Sequence, residues 1–381
     1  MGYYPSYHHR AQSPHQLNYS LYTDVLFFVV VPHLNFSFSF ENLDYNVGVT
    51  LATQFTSEAK KQNVNTILSF GGWTGSRNFS NLVSKSNRKK FAQALVKFSK
   101  KLGFSGIDLD WEYPNRSGIG CNTYNPQDTK NFGLLLKEIR GLWPTVQLTA
   151  ALSIQGLVGA SGEQATASEV SNIARYLDFA NLMAYDVYGS WAPTTGPIGP
   201  LKDACAPQSF ALSAETGFNV LLQQGFKASQ VVLGIPAYGK RLKLLSPSLE
   251  TKVVNGIKTL YYQNHTQSTP PGGEFDDRPG KDVCGNEQTW SGSWNINEIL
   301  AKGWLSQDQK KGGKGYKRYF DECSGEPFLT NGQYFIAYED KYSTVAKARF
   351  TKTKRMAGIF FFDTLGVPDV TVEAARHAAA Q

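Results

Sequence analysis

Eight short apolar segments, at 2–4, 24–31, 66–70, 106–111, 146–152, 179–185, 231–236 and 358–362, punctuate the chain, and amphipathic stretches separate them. Phe91, Leu95, Phe98 and Leu102 set an apolar stripe along 87–102, and Phe132, Leu135, Leu136 and Ile139 set another along 128–143. Strands alternating with helices in this way predict an α/β fold, a (β/α)8 TIM barrel. One interval breaks the rhythm, because roughly a hundred residues separate the seventh strand from the eighth. That interval is rich in Gly, Pro, Tyr, Thr and Trp and reads as a small α+β insertion over 241–338. The barrel then takes 1–240 and 339–381, with a helical pattern over 343–356 leading into the last strand.

A length of 381 residues by itself suits one large barrel with an insertion about as well as two ordinary domains. Apolar residues make up 41% and aromatic residues 13%, enough for a sizeable core, and no stretch approaches the roughly 18 unbroken apolar residues of a membrane span. The formal net charge is +7, carried by basic residues that are scattered apart from short clusters such as Arg88-Lys89-Lys90 and Lys310-Lys311. The expectation is a solvated surface, with neither nucleic acid nor membrane as a partner, on a monomer.

Cys121, Cys205, Cys284 and Cys323 show no Cys-x-x-Cys spacing and no neighbouring His, so neither a metal nor a cofactor is expected. Cys121 and Cys205 follow the fourth and sixth strands while Cys284 and Cys323 fall in the insertion. The economical pairing is 121 with 205 and 284 with 323, and the other two connectivities stay open. Asn-x-Ser/Thr sequons stand at Asn18, Asn35, Asn78, Asn115 and Asn264. An even cysteine count with sequons points to an extracellular protein, and Met1 running straight into Gly-Tyr-Tyr-Pro reads as a mature chain behind an added methionine.

Within the fourth strand, Gly106-Ile-Asp-Leu-Asp-Trp-Glu-Tyr-Pro114, alternation puts Asp108, Asp110 and Glu112 on one face and Ile107, Leu109 and Trp111 on the other. The apolar set meets the outer helices and the acids face inward. Three adjacent buried carboxylates oppose one another's ionisation, which disfavours a purely structural role. Cleavage of a glycosidic bond needs a protonated acid near the leaving oxygen and negative charge beside an oxocarbenium-like centre. Glu112, last in the run and nearest the barrel's C-terminal mouth, is placed to be that acid.

The Asp108-x-Asp110-x-Glu112 string resembles the signature of the family 18 glycoside hydrolases, the chitinases. Further likenesses follow in order: Gly2-Tyr3-Tyr4 in the first strand, Ser69-Phe-Gly-Gly-Trp73 in the third, Met183-Ala-Tyr185-Asp186 in the sixth, Gly234-Ile-Pro-Ala-Tyr238-Gly in the seventh, and the insertion itself. The resemblance implies hydrolysis of β-1,4 linkages in chitin or N-acetylglucosamine oligosaccharides, with the substrate's own N-acetyl carbonyl as nucleophile and an oxazolinium intermediate. It implies Glu112 as general acid and base, Asp110 on the acetamido nitrogen, Asp108 taking a proton or hydrogen bond from Asp110, and Tyr185 steadying the acetamido oxygen. Asp186 would contact sugar, Met183 would line the floor, and Trp73 and Trp191, with Tyr3, Tyr238 and Phe362, would supply ring faces.

Four departures stand out. Ser105 replaces the motif's usual Asp, expected to support the acids from below. Phe362 replaces a tryptophan under the distorted sugar, Lys240 replaces an arginine, and Val29-Val-Val stands where an aromatic is common. A chitin-oligosaccharide-binding protein with little or no turnover is the alternative function. An endo-N-acetylglucosaminidase is a third, disfavoured because such relatives generally lack the insertion.

Overall fold

The structure, a computed structural model, describes residues 1–380. Its strands in chain order are β1 (Gly2–Pro5), β2 (Asp24–Pro32), β3 (Phe38–Phe40), β4 (Asn65–Gly71), β5 (Gly106–Asp110), β6 (Gln147–Ser153), β7 (Phe179–Met183) and β8 (Val231–Pro236). Then come β9 (Tyr238–Lys243), β10 (Lys252–Val254), β11 (Ile257–Thr259), β12 (Gly280–Lys281), β13 (Glu287–Gln288), β14 (Ser293–Asn295), β15 (Lys317–Asp321), β16 (Glu326–Thr330), β17 (Tyr334–Ala337) and β18 (Gly358–Phe362). The main sheet runs β1-β18-β8-β7-β6-β5-β4-β2, with β1 also paired to β2, and closes as the eight-stranded parallel barrel that the alternation predicts. Antiparallel β3 is appended to β2. Most barrel strands are buried almost throughout, as a sheet covered on both faces must be, and β18 is the least so.

By compactness the chain divides into two units, Met1–Met183 with Phe218–Val232 and Arg355–Phe360, and Ala184–Gly217 with Leu233–Lys354 and Phe361–Gln381. In the first, the helices α1 (Tyr45–Lys61), α2 (Gly72–Gly75), α3 (Phe79–Leu82), α4 (Arg88–Lys101), α5 (Asp128–Leu142) and α6 (Ala167–Tyr176) follow the strands. Their starts have local causes. Asp44 accepts from the N–H groups of Asn46 and Val47 ahead of α1, and Thr166 with Glu169 forms a capping box at α6. Trp111, 1% exposed, stacks on Phe79 of α3 at 5.4 Å and meets Phe132 of α5 edge-on at 5.7 Å. Truncating such a ring costs about 3–5 kcal/mol, so the outward face of β5 anchors the helical layer.

The helix α7 (Ala214–Gln223) begins in the second unit and continues into the first from Phe218, and the second unit contains a five-stranded antiparallel sheet in the order β14-β9-β17-β16-β15 and the helices α8 (Ile296–Ala301), α9 (Lys341–Thr353) and α10 (Asp369–Ala380). Asn295 and Glu298 cap α8 reciprocally, and Trp294, Ile299, Leu329 and Ile336 are among the residues of its core. Lys347, 1% exposed, pairs with Glu339 beside Glu326; burial lowers the lysine to about 8 and raises Glu326 to about 7. The cysteines overturn the economical pairing: Cys205 is bonded to Cys323, and Cys121 and Cys284 are oxidised as well. The loop carrying Cys205 runs along the β15–β16 turn, where Leu201 N–H donates to Ser324 O at 2.8 Å, so chain proximity misled and loop proximity decides. No described helix is long and apolar enough to cross a membrane.

Candidate active site

β5 carries the acids. Asp108 is fully buried and Asp110 is 4% exposed, while Ile107 and Leu109 fill the opposite face. The strand ends at Asp110, so Glu112 lies two residues beyond it and not on its last rung. There the Glu112 N–H donates to Ser76 Oγ at 3.0 Å in place of a ladder partner, and Asn122 Nδ2 donates to Glu112 O at 2.7 Å. The Glu112 side chain is half-buried, and its peptide bond to Tyr113 is cis. Two glycines hold this backbone from either side. A Cβ on Gly71 (φ +114°) would come within 2.1 Å of Asp110 O, and one on Gly118 (φ +52°) within 2.1 Å of Glu112 O.

Four strands converge on Asp108. Thr149 Oγ1 of β6 donates to it at 2.5 Å, Ser69 Oγ of β4 at 2.7 Å and Tyr3 OH of β1 at 3.3 Å, while Asn181 Nδ2 of β7 lies at 3.5 Å and donates to Tyr3 OH at 2.9 Å. Burial raises the Asp108 pKa, and the hydroxyls of Thr149, Ser69 and Tyr3 oppose that rise. Asp110 is pushed well above the carboxylate range, first by burial, then by Glu112, Asp108 and Glu41, and its Oδ1 has no hydrogen-bond partner. Two carboxylates this close cannot readily both ionise. The donors gathered on Asp108 favour its ionised form, while burial and the neighbouring carboxylates favour the protonated form of Asp110.

Ser69, Thr149 and Asn181 are not in the sequence-derived set, yet each is the polar residue at an inward position of an apolar strand run, which is the signal that marks them. Tyr3, expected as a sugar-binding ring, is 2% exposed and packs between Phe28 and Phe360; its hydroxyl serves Asp108 and its faces are covered. Ser105 does not underlie the acids. An odd offset from Asp108 puts it on the other face, where its Oγ donates to Thr66 O at 3.0 Å. Trp73, just past β4, is 48% exposed, and Met183 ends β7 half-buried.

In the second unit, Tyr185 and Asp186 follow β7. The Tyr185 ring lies nearly parallel to Phe362 at 6.2 Å and edge-on to Tyr238 at 6.5 Å. Tyr238 OH donates to Asp186 Oδ2 at 2.9 Å; burial, then the Asp186 charge and Tyr185, push its pKa well up, so it stays a neutral donor. Asp186 itself is exposed, at φ +54°. Trp191 is 57% exposed, its ring folded over Gly189, where a Cβ would sit 2.3 Å from the indole. Lys240 donates to Ser293 Oγ at 2.7 Å and Ser291 Oγ at 3.3 Å and lies 5.4 Å from the Tyr238 ring centre, which occupies its ammonium within the insertion sheet.

The model of the family described as "Glycosyl hydrolases family 18" matches residues 1–365. Among curated proteins the chain is similar to a "chitinase-like effector" of Moniliophthora roreri, 35% identical over 330 residues that cover 85% of this chain and 80% of the relative. It is also similar to "Chitinase A1" of Niallia circulans, 30% identical over 328 residues that cover 82% of this chain and 42% of that protein. Among solved structures a chitinase of Rhizomucor miehei superposes with a TM-score of 0.84 at 24% identity, covering 99% of this chain and 98% of that one. A variant of the class V chitinase of Nicotiana tobaccum, solved in complex with NAG4, superposes at 0.77 with 22% identity over 100% of this chain and 98% of that one.

Proposed function

The chain belongs to family 18 of the glycosyl hydrolases and is a glycoside hydrolase of the chitinase kind, and from that premise we propose that it cleaves chitin or N-acetylglucosamine oligosaccharides with retention, using the substrate's acetamide as nucleophile. The observation that carries this reading is the graded burial along one backbone run: Asp108 buried and fully served by donors, Asp110 buried with an unpartnered oxygen, Glu112 half-exposed beyond the strand end. Glu112 protonates the leaving oxygen and later takes a proton from water. As the acetamide oxygen closes on the anomeric carbon, positive charge grows on its nitrogen. Asp110 is the group to balance that charge, and it does so by passing its proton towards Asp108. Tyr185 takes the family's role of steadying the acetamido oxygen, and Trp73, Trp191, Asp186 and Met183 the sugar contacts.

The test uses a chromogenic chitobioside and the N-acetylglucosamine hexamer. Wild type releases chromophore and its first-formed product is the β-anomer by NMR, whereas Glu112→Gln loses turnover by about 10³-fold or more, the range expected for removing a general acid. A second reading, oligosaccharide binding without turnover, draws on Phe362 in place of the broader indole and on the names of the Moniliophthora relatives. It prevails if wild type binds the hexamer yet turns over no faster than Glu112→Gln. The sequons and the absence of free cysteines favour an extracellular protein under either reading.

A further inference from the structure

Helix α4 is where the charge of this chain is concentrated. Its 14 residues include Arg88, Lys89, Lys90, Lys97, Lys100 and Lys101 and no Asp or Glu, in a protein whose formal net charge is +7. Phe91, Ala92, Leu95, Val96 and Phe98 turn inward, and Lys85, Lys89, Lys90, Lys97, Lys100 and Lys101 are exposed. Among the described residues no ion pair engages any of these lysines. Local physics opposes the arrangement. Three cations fill the first turn, at the positive end of the helix dipole, and Lys97 repels Lys100 and Lys101 at three- and four-residue spacing, which offsets the favourable place of those two at the negative end. Helix stability therefore does not account for it. The face also continues sideways: Thr56 Oγ1 of α1 donates to Leu102 O at 3.1 Å, which joins the last turns of α1, where Lys60 is exposed and Lys61 pairs with Glu58, to the end of α4.

We propose that the outer face of α4, with the end of α1, docks a linear carboxylated polysaccharide. Charge complementarity requires a polyanion, and the details select this one. The exposed positions of α4 are lysines and Gln93, with no apolar side chain to enter a bilayer. Its single arginine is half-buried, so the exposed cations are all ammonium groups, spaced along the helix to meet carboxylates repeated along a chain. At one end Lys100 Nζ lies over the half-buried Trp143 ring at 4.8 Å, which fixes that cation at the edge of the face. The helix is about 21 Å long, enough to engage several successive uronates.

Immobilised polygalacturonate, eluted with a salt gradient, is the probe. Wild type is retained at low salt and released as salt rises, and the combined Lys89→Gln, Lys90→Gln, Lys97→Gln and Lys101→Gln variant binds at least about tenfold more weakly with a shallower salt dependence. A charge-matched control, Lys202→Gln, Lys258→Gln, Lys281→Gln and Lys310→Gln, keeps wild-type retention. Binding of the N-acetylglucosamine hexamer is unchanged in both, and circular dichroism shows both folded, so the outcome does not depend on whether the chain hydrolyses chitin. Equal retention of the α4 variant, equal loss in the control, or wild-type affinity for anionic-lipid vesicles or duplex DNA as high as for polygalacturonate at the same salt overturns the proposal.

Discussion

Gly118 and Gly120 lie two residues apart at positive φ, yet they face different surroundings, and alanine at each separates two effects that usually arrive together. At Gly120 (φ +119°) an added Cβ meets nothing within 4 Å, so Gly120→Ala carries only the cost of a left-handed backbone, about 1–2 kcal/mol. At Gly118 (φ +52°) the same Cβ would lie 2.1 Å from Glu112 O and 2.3 Å from Asn122 Nδ2, against 3.4 Å for an ordinary contact. The backbone of Glu112 must therefore move by about 1.3 Å or surrender the Asn122 hydrogen bond that holds it. A misplacement near 1 Å at a reacting group costs on the order of 10²-fold in rate. Gly118→Ala should thus lower kcat on the chitobioside by about 10²-fold, while Gly120→Ala stays within about twofold of wild type, since neither its contacts nor Glu112 shift. Differential scanning fluorimetry run alongside shows both variants folded with modestly lower Tm. Equal kcat for the two alanines refutes the idea that Gly118 positions the acid.

Other outcomes follow from the same geometry. Thr149→Val removes a donor that favours the ionised form of Asp108, so the Asp108 pKa rises, ionisation is lost at a higher pH on acidification, and the acidic limb of the kcat/KM profile moves up; a limb that stays put or moves down contradicts the assignment. Cys205→Ser, Cys323→Ser and the double variant should all lose the same stability, about 2–4 kcal/mol in denaturant titration, because each opens one bond. In a secreted preparation, peptide mapping should find glycan at the exposed Asn18, Asn35 and Asn264 and none at Asn115, whose Nδ2 donates to Gly159 O at 2.8 Å.

The barrel was legible because its strands are short apolar runs bounded by sharp changes of composition, and most predicted bounds fall within a residue or two of those observed. Period-two alternation likewise foretold which face Asp108 and Asp110 would occupy. It overran at Trp111 and Glu112, where Ser76 rather than a neighbouring strand takes the backbone N–H, a contact between segments distant in sequence. Thr149 and Asn181 went unnoticed since a hydroxyl or amide inside an apolar run carries no motif of its own, and Ser69 entered only as the first residue of a resembling string, with no role assigned. Ser105 was misjudged although parity alone excludes it from the face of the acids. The Cys205–Cys323 bond was hidden for a different reason: loop paths are set by tertiary packing that no local pattern encodes.

Tyr3, Ser69, Thr149 and Asn181 each reach Asp108 from a different strand of the barrel. A single carboxylate thereby depends on the mutual register of those strands, and a slip of one residue in any of them would swing its donor to the outer face. Heat or denaturant that loosens strand register should silence this site while helices and overall compactness persist, so loss of function becomes an early gauge of barrel integrity. For sequence change the same dependence works as a constraint. Exposed positions of the outer helices other than α4 can change one at a time, but the inner ring can vary only through concerted replacements that restore its donors together.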